Sequence, residues 1–241
     1  MIDMHIHSNF SPDSKSPISQ IASVAKLKGL KMIGITDHYE MREGRVLHSF
    51  DIEKFMEESQ KHSEEVEIIK GVEWGWDCFG EEPDFSDLDF VMLSIHLCEK
   101  PAELAYECYK DYLTRVLNCA EKAYDFQVLG HLDFVRRYIP GNPDVPDDLR
   151  KIVIEILEVL KERGAALELN TEGFAVYGEP QPAFWVFKEA NKLGIPATVG
   201  SDAHNLENIG RYIDKAYDIL KSAGYKNVVI FRKKCIEEMG I

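Results

Sequence analysis

The feature that most narrows the fold is an alternation, repeated along the chain, of short apolar β-rich segments with longer amphipathic ones. Strands are predicted at Met1–His7, Met32–His38, Val66–Glu73, Phe90–His96, Val128–Asp133, Ala165–Asn170 and Pro196–Asp202. Helices are predicted near Pro17–Lys28, Ile52–Glu65, Ala102–Tyr124, Asp147–Arg163, Ala183–Leu193 and Ile213–Ala223. The punctuation agrees. Ser16-Pro17 suits a helix start, and Gly29, Gly164, Gly194 and Gly224 each follow a helical pattern, where a residue commonly turns left-handed. Strands joined through helices run parallel with right-handed crossovers. Seven such units predict an α/β fold, a closed or nearly closed barrel of mostly parallel strands. An open doubly wound sheet is second choice, since no Gly-rich phosphate loop follows the first strand. One domain spanning residues 1–241 accommodates the chain, with no internal repeat or linker.

The histidines fall where a barrel would use them. Of the eight, His5, His7, His38, His96, His131 and His204 lie at or just after predicted strand ends, the face where barrel enzymes place their chemistry. His48 and His62 sit among charges in the second connection and read as surface residues. Alternate strand residues share a face, so His5 pairs with His7, and Asp202 with His204, at a spacing that chelates one ion. In Gly71-Val72-Glu73-Trp74-Gly75-Trp76, Glu73 shares its face with the two glycines, while both tryptophans pack outward. A buried carboxylate without a partner is costly, so an inward Glu73 calls for a cation. Asp13, in the Pro/Gly-rich loop after the first strand, becomes a ligand candidate because that loop passes over the site. Asp37, beside His38, reads as a residue that orients ligands.

His5, His7, Asp13, His38, Glu73, His96, His131, Asp202 and His204 make nine candidate ligands. A catalytic zinc uses about three protein ligands plus water. Nine donors therefore suit two to three divalent ions with shared ligands. Mixed imidazole and carboxylate donors fit zinc, manganese or iron.

These residues resemble the polymerase and histidinol phosphatase (PHP) superfamily. The matching pieces are Asp3-Met4-His5-Ile6-His7-Ser8, Ile35-Thr36-Asp37-His38, Gly71-Val72-Glu73, Ser94-Ile95-His96, Gly130-His131-Leu132-Asp133 and Gly200-Ser201-Asp202-Ala203-His204, in family order over almost the whole chain. The resemblance implies a distorted (β/α)7 TIM-like barrel with three metal ions. His5, His7, Glu73 and Asp202 would hold one. Glu73 would bridge to a second with His96 and His131, and Asp13, His38 and His204 would hold the third. Some members carry histidine where this chain has Asp13. Glu168-Leu169-Asn170-Thr171-Glu172-Gly173-Phe174 resembles the Glu-x-Asn-Thr-Ser-Gly segment of the histidinol-phosphatase branch, with Glu172 in place of serine.

The implied activity is hydrolysis of a small phosphate monoester by a metal-activated water, most closely histidinol phosphate. Asp37, Glu73 and His131 are its catalytic candidates, with Asp37 one possible proton donor to the leaving group. Arg136 and Arg137 follow the His131 strand and could fork onto phosphate, or form a solvated loop pair. Glu168 and Asn170 share a strand face and could meet an amino-alcohol leaving group, or serve hydrogen bonding within the barrel. Two alternatives stand: a nucleotide or short-oligonucleotide phosphoesterase, with Phe174 and Tyr177 stacking on bases, and a noncatalytic metal-stabilised interaction domain.

Composition limits the partners. A formal charge of -14 argues against duplex nucleic acid. Three divalent ions against three ligand carboxylates would still leave the site positive enough for a phosphate. No apolar run nears the roughly 20 residues of a membrane span, and the start has no basic-then-apolar leader pattern, so a cytoplasmic protein is expected. Five cysteines without a CxxC pair are expected to be reduced, packed thiols.

Overall fold

The computed structural model describes residues 1–241. Seven parallel strands follow each other in space as in sequence: β1 (Ile2–Ile6), β2 (Met32–Arg42), β4 (Glu67–Gly75), β5 (Phe90–Ser94), β6 (Val128–Leu129), β7 (Ala166–Asn170) and β8 (Ala197–Gly200). A short antiparallel β3 (Arg45–His48) hangs from the end of β2. The ring all but closes where Ile6 bridges Ala203, with the His7 N–H donating to the Ala203 carbonyl at 2.9 Å. It is the nearly closed α/β barrel that the alternation predicts.

Helices α1 (Ile18–Leu27), α2 (Ile52–Lys61), α3 (Ala105–Lys122), α4 (Arg150–Arg163), α5 (Glu172–Val176), α6 (Phe184–Leu193) and α7 (Ile213–Ala223) fill the connections. Every residue of β1, β5, β7 and β8 is buried, as parallel strands covered on both faces must be. The outer layer is apolar. Trp74 and Trp76 stack at 4.7 Å outside the barrel and are nearly inaccessible, so they pack as their alternation predicts.

Two hairpins were not legible in the pattern. β2 runs four residues past His38 and folds back into β3 through Glu43 and Gly44, both at positive φ. That is the backbone of a tight two-residue hairpin turn. Charged residues mask its alternation, and Glu-Gly is a weaker turn signal than Asn-Gly. The second, β9 (Asn227–Arg232) with β10 (Cys235–Gly240), is antiparallel. It is tied to the N-terminal ends of β4 and β5 by the Arg232–Glu67 pair and by the Lys233 and Lys234 N–H groups donating to Asp89. No helix is long and apolar enough to cross a membrane.

One expectation is overturned. Cys78, just after β4, is disulfide-bonded to Cys119 of α3, while Cys98, Cys108 and Cys235 are free. The partners are 41 residues apart, so no local spacing announces the pair; only the packing of α3 on the segment just past β4, at Trp76 and Cys78, brings them together. Closing that loop restricts the unfolded chain. With a sequence separation of 41, Cys119→Ala or reduction is expected to cost about 4 kcal/mol on the loop-entropy model. Guanidinium unfolding with and without reductant measures it, and an unchanged midpoint would show that no such bridge forms.

Candidate metal centre

All nine candidate ligands converge at the C-terminal end of the barrel. The centre is Glu73, on β4 and 1% exposed. Its Oε1 lies 2.7 Å from His131 Nε2, 3.2 Å from His96 Nε2 and 3.6 Å from His5 Nε2. Its Oε2 lies 2.8 Å from His38 Nδ1 and 3.6 Å from His7 Nε2. The short contact with His38 is out of line for a hydrogen bond, and both atoms lack a hydrogen-bond partner. Asp202 Oδ1 faces His7 at 3.3 Å and His5 at 3.5 Å. Asp13, half-exposed at the rim, places Oδ2 3.3 Å from both His38 Nε2 and His204 Nε2. The donors fall into overlapping groups: His5, His7 and Asp202; Glu73, His96 and His131; and His7, Asp13, His38 and His204.

Hydrogen bonding fixes which nitrogens are free. Ser11 Oγ donates to Asp37 at 2.7 Å, so it accepts from His7 Nδ1–H at 3.0 Å. His5 Nδ1–H donates to Glu168 at 2.6 Å. Both Nε2 atoms then face each other, 3.1 Å apart in a fully buried setting. Two lone pairs at that distance repel unless a cation, either a proton or a metal ion, sits with them. The donor set thus fits divalent ions on its own chemistry.

The electrostatics agree. Burial opposes ionisation of Glu73, yet His38, His96 and His5 outweigh it and hold its carboxyl well below the usual range. Burial likewise opposes charge on the imidazoles, but Glu73 and Asp13 raise His38 to about 11, and Glu73 and Glu40 raise His96 to about 10. His5 is held well above its ordinary value by Glu168, Asp202 and Glu73 against the cost of burial. His7 is the exception: burial and its cationic neighbours lower it to about 3.

The remaining predicted residues divide. Arg137 lines a cleft of about 360 Å3 with Pro12, Asp13, His38, His96 and Tyr138; Arg137 stacks over Phe134 and pairs with Glu172. Arg136 does not reach the cleft, which corrects its assignment as a phosphate fork. It is buried, donates to the Asn142 carbonyl at 2.9 Å and lies over Tyr177. Glu168 and Asn170 are also fully buried and occupied. Glu168 accepts from His5 and from the His131 N–H at 2.8 Å, and the Asn170 amide donates to Asp202 at 3.1 Å. Their place is barrel hydrogen bonding rather than a surface facing substrate. Asp37 lines no part of the cleft; it accepts from the Ser8 N–H, Ser8 Oγ and Ser11 Oγ, anchoring the loop that carries Asp13. Phe174 and Tyr177 do not line the cleft either. His48 donates its Nε2–H to the Phe10 carbonyl away from the cluster, and His62 pairs with Glu58 and Glu65. A larger groove of about 490 Å3 along α3, between Asp77 and Lys122, contains none of the nine donors.

Sequence reasoning missed Glu40, which joins His38 and His96 in a further donor group. The alternation that paired His5 with His7 would have found it two residues after His38, had the strand been carried past His38. It also missed Asp3, whose buried carboxylate accepts from the Ser201 and Gly210 N–H groups at 2.8 and 2.7 Å and so ties β1 to the Asp202 segment.

A PHP domain family model matches residues 3–172, and a PHP-associated model matches residues 186–213. A Thermotoga maritima protein named a probable histidinol-phosphatase is 35% identical over 98% of both chains. The Lactococcus lactis histidinol-phosphatase is 27% identical, covering 98% of this chain and 99% of its own. The crystal structure of the L. lactis enzyme with zinc, L-histidinol and phosphate superposes with a TM-score of 0.83, at 25% identity and 98% coverage of each chain. A Listeria monocytogenes structure shares the fold, with a TM-score of 0.73 at 18% identity, covering 89% of this chain and 99% of its own.

Metal uptake by the metal-free protein should release protons. His5, His38 and His96 hold protons at pH 7 there, whereas ligation needs neutral imidazole. Raising the pH removes the competing proton, so affinity should increase by about tenfold per pH unit for each proton displaced, from pH 7 toward the raised values. Calorimetry in buffers of different ionisation enthalpy counts the protons, and a count of zero would contradict the charge pairing described.

Proposed function

This chain belongs to the PHP domain family, and from that premise we propose that it is a metal-dependent phosphatase converting histidinol phosphate to histidinol and phosphate. The observation that carries the proposal is the gathering of nine imidazole and carboxylate donors with Glu73 at their centre, seven of them lining a cleft with one arginine on its wall. The full-length likeness to proteins named histidinol-phosphatase, one of them solved with zinc and the reaction's products, supports the substrate. We take residues 1–241 as one barrel unit.

His5, His7, Glu73 and Asp202 would hold one ion, Glu73, His96 and His131 a second, and Asp13, His38 and His204 a third. That gives two to three divalent ions, with zinc favoured over manganese or iron by the L. lactis complex. When bound, such ions supply a nucleophile from water near neutral pH and positive charge for the phosphoryl oxygens. The chain's own residues do the rest. Glu73 shares its two oxygens between neighbouring groups and so sets their separation. His131, whose backbone N–H is held by Glu168, aims Nε2 at Glu73. Arg137 would fork onto phosphate, its direction supported by Glu172 and the Phe134 ring. Asp37 acts from beneath, through Ser8 and Ser11, to keep Asp13 over the cleft.

The nucleotide reading has less support, because Phe174 packs on Tyr212 and Tyr177 lies under Arg136, leaving neither free to stack on a base at the cleft. A noncatalytic metal-stabilised domain would use the donors but leave the open cleft beside them, with Arg137 on its wall, without a use.

His131→Ala and Asp202→Ala should each lower kcat/KM by more than about 100-fold, since partners that merely orient ligands are already worth about 10–100-fold. Full activity in either variant, with folding confirmed by circular dichroism, would sink the assigned site. On a panel of L-histidinol phosphate and 3′- and 5′-nucleotides, kcat/KM should be highest for histidinol phosphate. A nucleotide in first place would overturn the substrate while leaving the metal centre intact.

A further inference from the structure

We propose that Glu40 is a positioning residue of the metal centre: it accepts the Nδ1–H of His96 and so turns His96 Nε2 toward Glu73 and His131. This rests on the metal-site reading above.

His96 needs such a hold. Like His7, His131 and His204 it stands beyond the end of its strand, here in the connection after Ser94 that leads to α3, where no sheet ladder fixes its direction. Glu40 supplies one from the neighbouring part of the barrel. It stands two residues after His38 on β2, so both side chains leave the strand on one face. Its Oε1 lies 2.5 Å from His96 Nδ1, while His96 Nε2 lies 3.2 Å from Glu73 and 3.4 Å from His131 Nε2. A neutral imidazole has one N–H. With that N–H given to Glu40, the lone pair is left on Nε2, on the side where Glu73 and His131 converge. The same arrangement holds His5 through Glu168 and His7 through Ser11.

The neighbouring strand is built to make room for this carboxylate. Glu40 is paired in register with Gly75 on β4. A Cβ at Gly75 would fall 2.1 and 2.2 Å from the two carboxylate oxygens of Glu40. The missing side chain at Gly75 is therefore the space in which Glu40 sits. Direct ligation is the competing role, but the oxygen nearest His96 lies on its Nδ1 side, away from the Nε2 atoms that converge with Glu73.

The test is metal affinity rather than turnover alone. Metal-free wild type, Glu40→Gln, Glu40→Leu and Gly75→Ala are titrated with zinc against a chromophoric chelator and with cobalt by visible absorption. Glu40→Leu should weaken one bound equivalent by about 10–100-fold and alter the cobalt spectrum, while the other equivalents hold. Glu40→Gln, whose amide oxygen still accepts an N–H, should stay near wild type. Gly75→Ala should displace the carboxylate and weaken the same equivalent, and Glu40→Leu/Gly75→Ala should lose no more than Glu40→Leu, as expected of residues acting through one interaction. Equal loss in Glu40→Gln and Glu40→Leu would make Glu40 a ligand and overturn the proposal, as would unchanged affinity in Glu40→Leu. A wild type that takes up no metal would overturn the metal reading itself, a separate result.

Discussion

A single ionised carboxylate, buried where five imidazoles can reach it, governs this molecule. Glu73 is the fixed negative point around which the upper end of the barrel is arranged, and an isolated charge there would be prohibitive. It is tolerated because strand ends from around the ring deliver cationic or metal-binding partners to within a few ångströms of it. The barrel matters because its strands, rather than any local motif, bring residues as distant as His5 and Asp202 together. Even the closure of the ring belongs to this constraint. Asp3 and the Ile6–Ala203 bridge hold the first strand against the last, so that His5, His7 and Asp202 meet.

Glycines make that convergence sterically possible. At Gly200 an added Cβ would fall 2.3 Å from His5 Cβ and 2.5 Å from a Glu168 oxygen. The strand thus gives up a side chain where a ligand and its acceptor must pass. Gly75 does the same opposite Glu40. In both places the residue with no side chain is as much a part of the site as the carboxylate that occupies its space.

The seven parallel strands and six of the helices could be read from alternation and punctuation because each is a local pattern repeated at a regular spacing. The nine donors were legible for the same reason: strand geometry assigns a face to each position, and the ends of parallel strands share one side of the fold. What escaped is set by contacts between distant segments. The Cys78–Cys119 bridge depends on how α3 packs on the segment just past β4. Arg136 and Arg137 are adjacent and identical in type, yet the turn after His131 sends Arg137 to the cleft and buries Arg136 against Tyr177 and Asn142. Glu40 was hidden by a misjudged strand end rather than by any ambiguity in its chemistry. For Glu168 and Asn170 the strand pattern allows two roles, and only their burial assigns them to hydrogen bonding under the donors.

That last assignment shows how the centre is prepared. An imidazole is a useful ligand only when its second nitrogen is committed elsewhere, because a free ring can rotate or protonate on the wrong side. Here His5 commits Nδ1 to Glu168, His7 to Ser11, His96 to Glu40 and His204 to the Asp202 carbonyl at 2.9 Å. His7 and His204 find their acceptors within their own segments, but those of His5 and His96 lie on other strands, so the direction of these two Nε2 atoms depends on the barrel rather than on their own strands. Glu168 adds a cross-link, since one oxygen orients His5 and the other holds the backbone of His131. Two of the ligand groups that share Glu73 are thereby fixed relative to each other from below as well as from above. Such a scaffold sets the donor positions before any ion arrives, which is what preorganised electrostatic catalysis requires.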